Sequence, residues 1–141
     1  MRIAYLFNSS TPSSNPSSIQ VVNTCSALAQ LSHRVKLIVP NTGQNISLSK
    51  FYGINKSPKL VKLKYFNKFP LGIYYYLFSF FSIAYAILNK TELYITRNIF
   101  NLFLLNILKK RVIIEIHHDF HNEGRFVKFL CKYIDIFNKN N

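Results

Sequence analysis

Between Arg2 and His118, short apolar runs that read as strands take turns with longer runs patterned like helices. This alternation constrains the chain more than any other feature. Strands separated by helix-length segments pair in parallel, because each helix carries the chain back to the start of the next strand. Two of the strand-like runs end in polar clusters, Thr96-Arg97-Asn98 and His117-His118-Asp119. In open parallel sheets, polar groups just past the strand ends are where ligands sit.

Ile3 to Phe7 is almost wholly apolar, as a central strand covered on both faces must be. Asn8 to Ser18 is rich in Ser, Asn and Pro and reads as a loop, with Ser17 or Ser18 expected to cap a helix from about Ile19 to Leu31. Val35 to Val39 is the second strand, and Asn41 to Pro58 is expected to be irregular. Leu60 to Phe66 alternates apolar residues with Lys62 and Lys64, which suits an edge strand. Leu93 to Thr96 and Val112 to Ile116 are further strands, the latter apolar apart from Glu115. Ile99 to Leu108 reads as a helix capped by Asn98, with Lys109, Lys110 and Arg111 at its carbonyl end, where the helix dipole favours cations. Asn122 to Phe137 is an amphipathic helix with Arg125, Lys128 and Lys132 on its basic face. These elements predict one α/β domain over residues 1–141, a Rossmann-like open parallel sheet with helices on both faces.

Phe69 to Asn89 carries no charge and is long enough to cross a bilayer, which takes roughly 20 apolar residues. Its sidedness argues for another role. Tyr75, Ser79, Ser82, Ala86 and Asn89 fall on one helical stripe, and Ile73, Leu77, Phe80, Ala84 and Ile87 on the opposite one. A crossover helix half covered by protein is the expectation, with a transmembrane segment as the alternative. A membrane span here would put strands of one sheet on opposite sides of the bilayer.

Formal charge is +13, from 18 basic and 5 acidic residues. Two explanations fit: an anionic partner, or the Lys, Asn, Ile, Phe and Tyr bias that an A- and T-rich genome imposes. With 49% apolar residues, a disordered tail is excluded. The lysines are scattered and the aromatics fall mostly on helix cores, so no nucleic-acid partner is expected. Cys25 and Cys131 are far apart and form no CxxC pair, which predicts reduced thiols in the cytoplasm.

Three clusters could carry chemistry. The Asn8 to Ser18 loop leads into a helix start, where unpaired N–H groups and Ser17 and Ser18 could seat a phosphate. It contains neither GxGxxG nor GxxxxGK[ST], which excludes dinucleotide and P-loop sites. Arg97 has a guanidinium able to fork onto phosphate or carboxylate. His117, His118, Asp119 and His121 form the densest group, with imidazoles suited to a general base or an orienting donor. Their spacing matches no standard zinc pattern, so no metal is expected.

In this order, the pieces resemble the N-terminal domain of glycosyltransferase family 4, retaining enzymes built from two Rossmann-like halves (the GT-B fold). The resemblance rests on the opening strand, on Pro16 through the helix and His33 to Pro40, on Leu93 to Arg97, and on Val112 to His117. Ser32 stands where the family usually has Gly before that His, and Pro16, Ser17 and Ser18 stand where its first loop usually has Gly. The family's strand-end Thr-Arg-Ser corresponds to Thr96-Arg97-Asn98 and lines the cleft. Its Glu-x-His corresponds to Glu115-Ile116-His117, which makes His117 the implied contact to the transferred sugar, with His118 and Asp119 as neighbours.

The resemblance implies a nucleotide-sugar donor taken as substrate, no cofactor, and a glycan or lipid-linked acceptor. It also implies a C-terminal donor-binding half that these residues lack, whether that half is in another chain or lost by truncation. Such a protein is expected in the cytoplasm. Its basic balance admits an anionic membrane surface as a further partner and a peripheral position on the inner face of the membrane. A non-catalytic membrane-surface or scaffold module is the alternative expectation.

Overall fold

The fold was analysed in a computed structural model, which describes residues 1–43, 46–64, 71–116 and 125–139. Five parallel strands form one open sheet: β1 (Arg2–Leu6), β2 (Arg34–Pro40), β3 (Lys59–Leu63), β4 (Leu93–Thr96) and β5 (Val112–Ile114). Their spatial order is β3-β2-β1-β4-β5, so the chain winds outward from β1, crosses back, and winds outward again on the other side. The connecting helices are α1 (Pro16–Gln30), α2 (Leu48–Tyr52), α3 (Leu71–Leu88) and α4 (Ile99–Ile107), and α5 (Arg125–Lys139) follows β5.

β1 lies at the centre because its side chains are apolar in both directions. Ile3, Tyr5 and Phe7 pack with Val21, Val22 and Cys25 of α1, Leu48 of α2, and Val35, Leu37 and Val39 of β2. Ala4 and Leu6 point the other way, into a second cluster with Ile38, with Tyr74, Phe78, Ile83 and Ala86 of α3, and with Leu105 of α4. Two covered faces explain the near-continuous apolar run. The expected Rossmann-like α/β sheet with helices on both faces is therefore present.

α3 is the crossover that returns the chain from β3 to β4. Its covered stripe is the one bearing the small polar residues: Ser79, Ser82 and Ala86 are buried, whereas Ile73, Phe80, Phe81 and Leu88 are exposed. Small side chains let the helix sit close to the sheet, beside buried Tyr74, Phe78 and Ile83. Among the described residues, no helix is long and apolar enough to cross a membrane.

Several boundaries differ from the sequence reading, each for a local reason. α1 opens three residues early, at Pro16, whose fixed φ is preorganised for a first helical position. Ser17 and Ser18 therefore lie inside the helix and do not cap it; Asn15 occupies the cap position, without a side-chain hydrogen bond. α2 lies in the segment expected to be irregular. It is a single short turn held by buried Leu48 and closed by Gly53 at φ 64°, too brief to leave a periodic signature. Asn98 caps α4 as expected, its Oδ1 accepting from the Phe100 N–H at 2.8 Å. β3 is the expected edge strand. In α5, Leu130 and Ile134 are buried but Phe129 and Tyr133 stay exposed, so only part of its apolar face is covered.

Three helices end in the same way. Ser32, Lys90 and Lys109 each adopt positive φ (65°, 53° and 51°) directly after α1, α3 and α4. In each case the next N–H reaches five residues back: His33 to the Leu28 carbonyl, Thr91 to Ala86 and Lys110 to Leu105. This is the Schellman closure, whose left-handed position glycine normally fills. The chain has only 4 glycines and uses none at these three positions. Ser32→Gly, Lys90→Gly and Lys109→Gly should each raise stability in urea unfolding by about 0.5–1 kcal/mol, the left-handed penalty less glycine's greater freedom when unfolded. A loss of stability in all three would contradict these closures.

Candidate functional site

The winding reverses between β1 and β4, so their carboxyl ends flank the crevice of the topological switch point. The Asn8–Asn15 loop and the start of α1 border it on one side, and Thr96, Arg97 and Asn98 on the other.

Thr96 is fully buried, and its hydroxyl organises the β4 end. Oγ1 donates to the Leu6 carbonyl at 3.4 Å and accepts from the Asn98 N–H at 3.1 Å and from Asn101 Nδ2 at 3.0 Å. Two amides then converge on α3: Asn8 Nδ2 and Asn98 Nδ2 both donate to Ser79 Oγ, at 3.4 and 3.3 Å. Asn8 Oδ1 and Thr11 Oγ1 are buried and have no hydrogen-bond partner among the described residues. Ser18 is buried and donates from Oγ to the Ser10 carbonyl at 3.3 Å, folding the loop onto its own helix. Tyr52 of α2 holds the same loop, its hydroxyl accepting from the Ser13 N–H and donating to the Ser13 carbonyl, both at 2.7 Å.

Arg97 ties these pieces together. Nε and Nη2 donate to Glu115 Oε2 at 3.1 and 2.9 Å, Nε also reaches Tyr5 Oη at 3.0 Å, and Nη1 approaches the Ser17 carbonyl at 3.4 Å. Tyr5 in turn donates to Glu115 Oε2 at 2.7 Å. Side chains from β1, β4 and the residue after β5 thus meet at one point, with the first turn of α1 against them. Burial pushes the Tyr5 hydroxyl well above the usual tyrosine range, and its hydrogen bond to Glu115 pushes the same way, while Arg97 acts in the opposite sense. The phenol therefore stays protonated. Burial likewise pushes the Cys25 thiol up and leaves it a packing residue of the core beneath α1.

Of the sequence-predicted site residues, the fold brings Ser17, Ser18, Thr96, Arg97 and Asn98 to one crevice. His117, His118 and Asp119 lie outside the described residues. Arg97 was expected to fork onto a ligand, but its donors are already directed at Glu115, Tyr5 and Ser17. Its evident work is to position the crevice walls. Sequence reasoning did not select Tyr5, Glu115 or Ser79. The signal for Glu115 was present, a lone carboxylate in an otherwise apolar strand; Tyr5 and Ser79 carried none that set them apart from core residues.

Chemically, the described part of the crevice offers amides, hydroxyls and the first turn of α1, which no side chain caps. Such a lining suits a hydroxyl-rich or anionic ligand. Among the described residues, no group of three or more His, Cys, Asp or Glu side chains converges. A scan against protein-family models gives no match for this chain, and a search of curated proteins gives none either.

Tyr5→Phe should cost about 1–2 kcal/mol, because it leaves Glu115 and Arg97 each short of one partner. It should also change the alkaline limb of stability. A raised folded-state pKa stabilises the protein below the ordinary tyrosine value of 10.0, and that stabilisation is lost as pH climbs from there toward the folded value. Wild-type stability should therefore fall above about pH 10, and the variant's fall should be shallower. Parallel limbs in pH-dependent urea unfolding would contradict the role given to Tyr5.

Proposed function

We propose that this chain is the acceptor-side half of a retaining glycosyltransferase, which moves a sugar from a nucleotide sugar to a glycan or lipid-linked acceptor. One observation carries the reading. The switch-point crevice gathers Thr96-Arg97-Asn98 and the Ser17-Ser18 start of α1, the segments that correspond to the family's cleft, within 3.4 Å of each other at Arg97 Nη1 and the Ser17 carbonyl.

In this reading the α1 N-terminus faces the donor diphosphate and stabilises charge on the leaving phosphate. Asn8 and Asn98, held by Ser79, orient acceptor hydroxyls, and Arg97 keeps the two walls in register through Glu115. His117 is the residue proposed to touch the transferred sugar. Rate enhancement would come mostly from positioning. The nucleotide-gripping half would come from outside these 141 residues, in a longer chain or a separate one. The setting would be the cytoplasm, at or near the inner face of the membrane.

A second reading, a non-catalytic scaffold or membrane-surface module, draws on a specific feature. Each of the three Arg97 guanidinium nitrogens donates within the protein, as in a structural clamp.

The two readings separate on titration of the isotope-labelled 141-residue chain with a panel of nucleotide sugars and pyrophosphate-linked sugars. The transferase reading predicts amide shifts at Asn8, Ser17, Ser18 and Asn98, no turnover by this chain alone, and roughly tenfold weaker binding in Arg97→Met. An absence of shifts at all four positions across the panel would favour the scaffold. Turnover by the isolated chain would refute the assignment as one half of an enzyme.

A further inference from the structure

The opposite end of the sheet carries a second feature that the crevice does not use. A cavity of about 350 Å³ opens at the amino-terminal ends of β2 and β3, and its lining includes His33, Arg34, Lys36, Lys56 and Lys59. No carboxylate lines it. The strand register places Lys36 directly across from Lys59, and Arg34 across from Arg2. Like charges facing each other across a ladder are destabilising. Arg2 is relieved by Glu92 at 3.0 Å. The ammonium of Lys36 donates to the neutral Asn89 Oδ1, with no carboxylate against it among the described residues, and burial, then Lys59 and Arg2, pull it below the usual lysine range.

Ordinary helix electrostatics account for some of the cations at this end. Lys90 and Lys109 follow the C-termini of α3 and α4, where the dipole favours positive charge. That argument does not reach Lys36 and Lys59, which stand within strands, or Lys56, which stands in the loop before β3.

Lys36 also borders an apolar groove. Its ammonium lies 5.6 Å from the centroid of the Tyr85 ring. Tyr85 lines a groove of about 390 Å³ between the β3 end and α3, together with Leu63, Phe81, Ala84 and Leu88, and with Lys64 at its rim. Leu88 is 82% exposed and Phe80, on the outer side of the same helix, 62%. A basic cavity and an apolar groove thus adjoin through one lysine.

We infer that the β2–β3 edge and the outer face of α3 form a docking surface for an anionic phospholipid bilayer, with lipid phosphates on Lys36, Lys56 and Lys59 and acyl chains against Phe81 and Leu88. Charge complementarity selects this occupant. A second copy of a chain at +13 would be repelled from this cationic face. A nucleic acid or a free phosphate would satisfy the lysines and leave the apolar groove without a role. The surface is separate from α5, which turns Leu130 and Ile134 inward. The inference is independent of the transferase reading, because it uses no residue of the crevice.

Sedimentation of the whole chain with vesicles tests it. Vesicles containing phosphatidylglycerol should bind the protein in a salt-sensitive way, and pure phosphatidylcholine should not. Lys56→Gln and Lys59→Gln should each weaken binding about fivefold. Phe81→Gln with Leu88→Gln should weaken it comparably, and circular dichroism would verify that each variant folds. Unchanged binding by the lysine variants, equal binding to neutral vesicles, or no binding would overturn the inference. A third arm titrates inorganic phosphate and follows thermal unfolding. Protection that depends on Lys56 and Lys59, without vesicle binding, would assign the cavity to a free phosphate and likewise overturn the lipid assignment.

Discussion

The Arg97 guanidinium and the Glu115 carboxylate meet at 2.9 Å, with side chains only 15% and 22% exposed. Around that contact the carboxyl ends of three strands are fixed relative to one another. Tyr5 brings in β1, Arg97 itself belongs to the end of β4, Glu115 follows β5, and the Ser17 carbonyl adds the first turn of α1. A pair this sheltered is costly to break one-sidedly, because each partner alone would be a poorly solvated charge. Tyr5 lessens that cost from within the core, donating to the carboxylate and accepting from the guanidinium. The crevice walls at Asn8, Ser18 and Asn98 are positioned as a consequence.

The same sheet has two chemically distinct ends. At the carboxyl ends the walls are hydroxyls and amides, joined by short hydrogen bonds with Ser79 and Thr96 as hubs. At the amino ends cations gather, partly because helix C-termini arrive there and partly because β2 and β3 begin with lysine and arginine. α3 spans the distance between them. Its serines and Phe78 lie against the sheet while Phe80 and Phe81 face outward, so one helix contributes Ser79 to the crevice and Leu88 to the basic end. If both functional readings hold, the bilayer contact and the sugar chemistry sit at separate places on one rigid sheet.

Much of this architecture was legible in the residues. The two-sided burial of β1 follows from its unbroken apolar run, and the edge position of β3 from its lysines. The Asn98 cap and the crossover role of α3 were also readable. The start of α1 was misplaced because a serine hydroxyl was weighed above a proline already set for a helix, and α2 was missed because five residues cannot display a helical period. Which stripe of α3 turns inward was not written in its hydropathy, since large residues lie on both sides: Tyr74, Phe78 and Ile83 are buried with the serines, and Ile73, Phe80 and Leu88 are exposed. At the site, the sequence singled out the β4 end but not the internal partners of Arg97, whose three guanidinium nitrogens each donate to Glu115, Tyr5 or Ser17. The carboxylate that engages it lies 18 positions along the chain, a pairing that only the strand order brings about. The histidine cluster at His117, His118 and Asp119 falls outside the described residues, so its part in the crevice rests on the family resemblance.

The most direct test of the account is the energetic coupling at its centre. A double-mutant cycle with Arg97→Met and Glu115→Gln, read by urea unfolding, isolates the contact from the cost of each substitution. The structure predicts a coupling of about 2 kcal/mol, the double variant losing that much less stability than the sum of the two single losses. A coupling below about 0.5 kcal/mol would mean that the two side chains act independently, and the crevice as described would lose the contact that holds it.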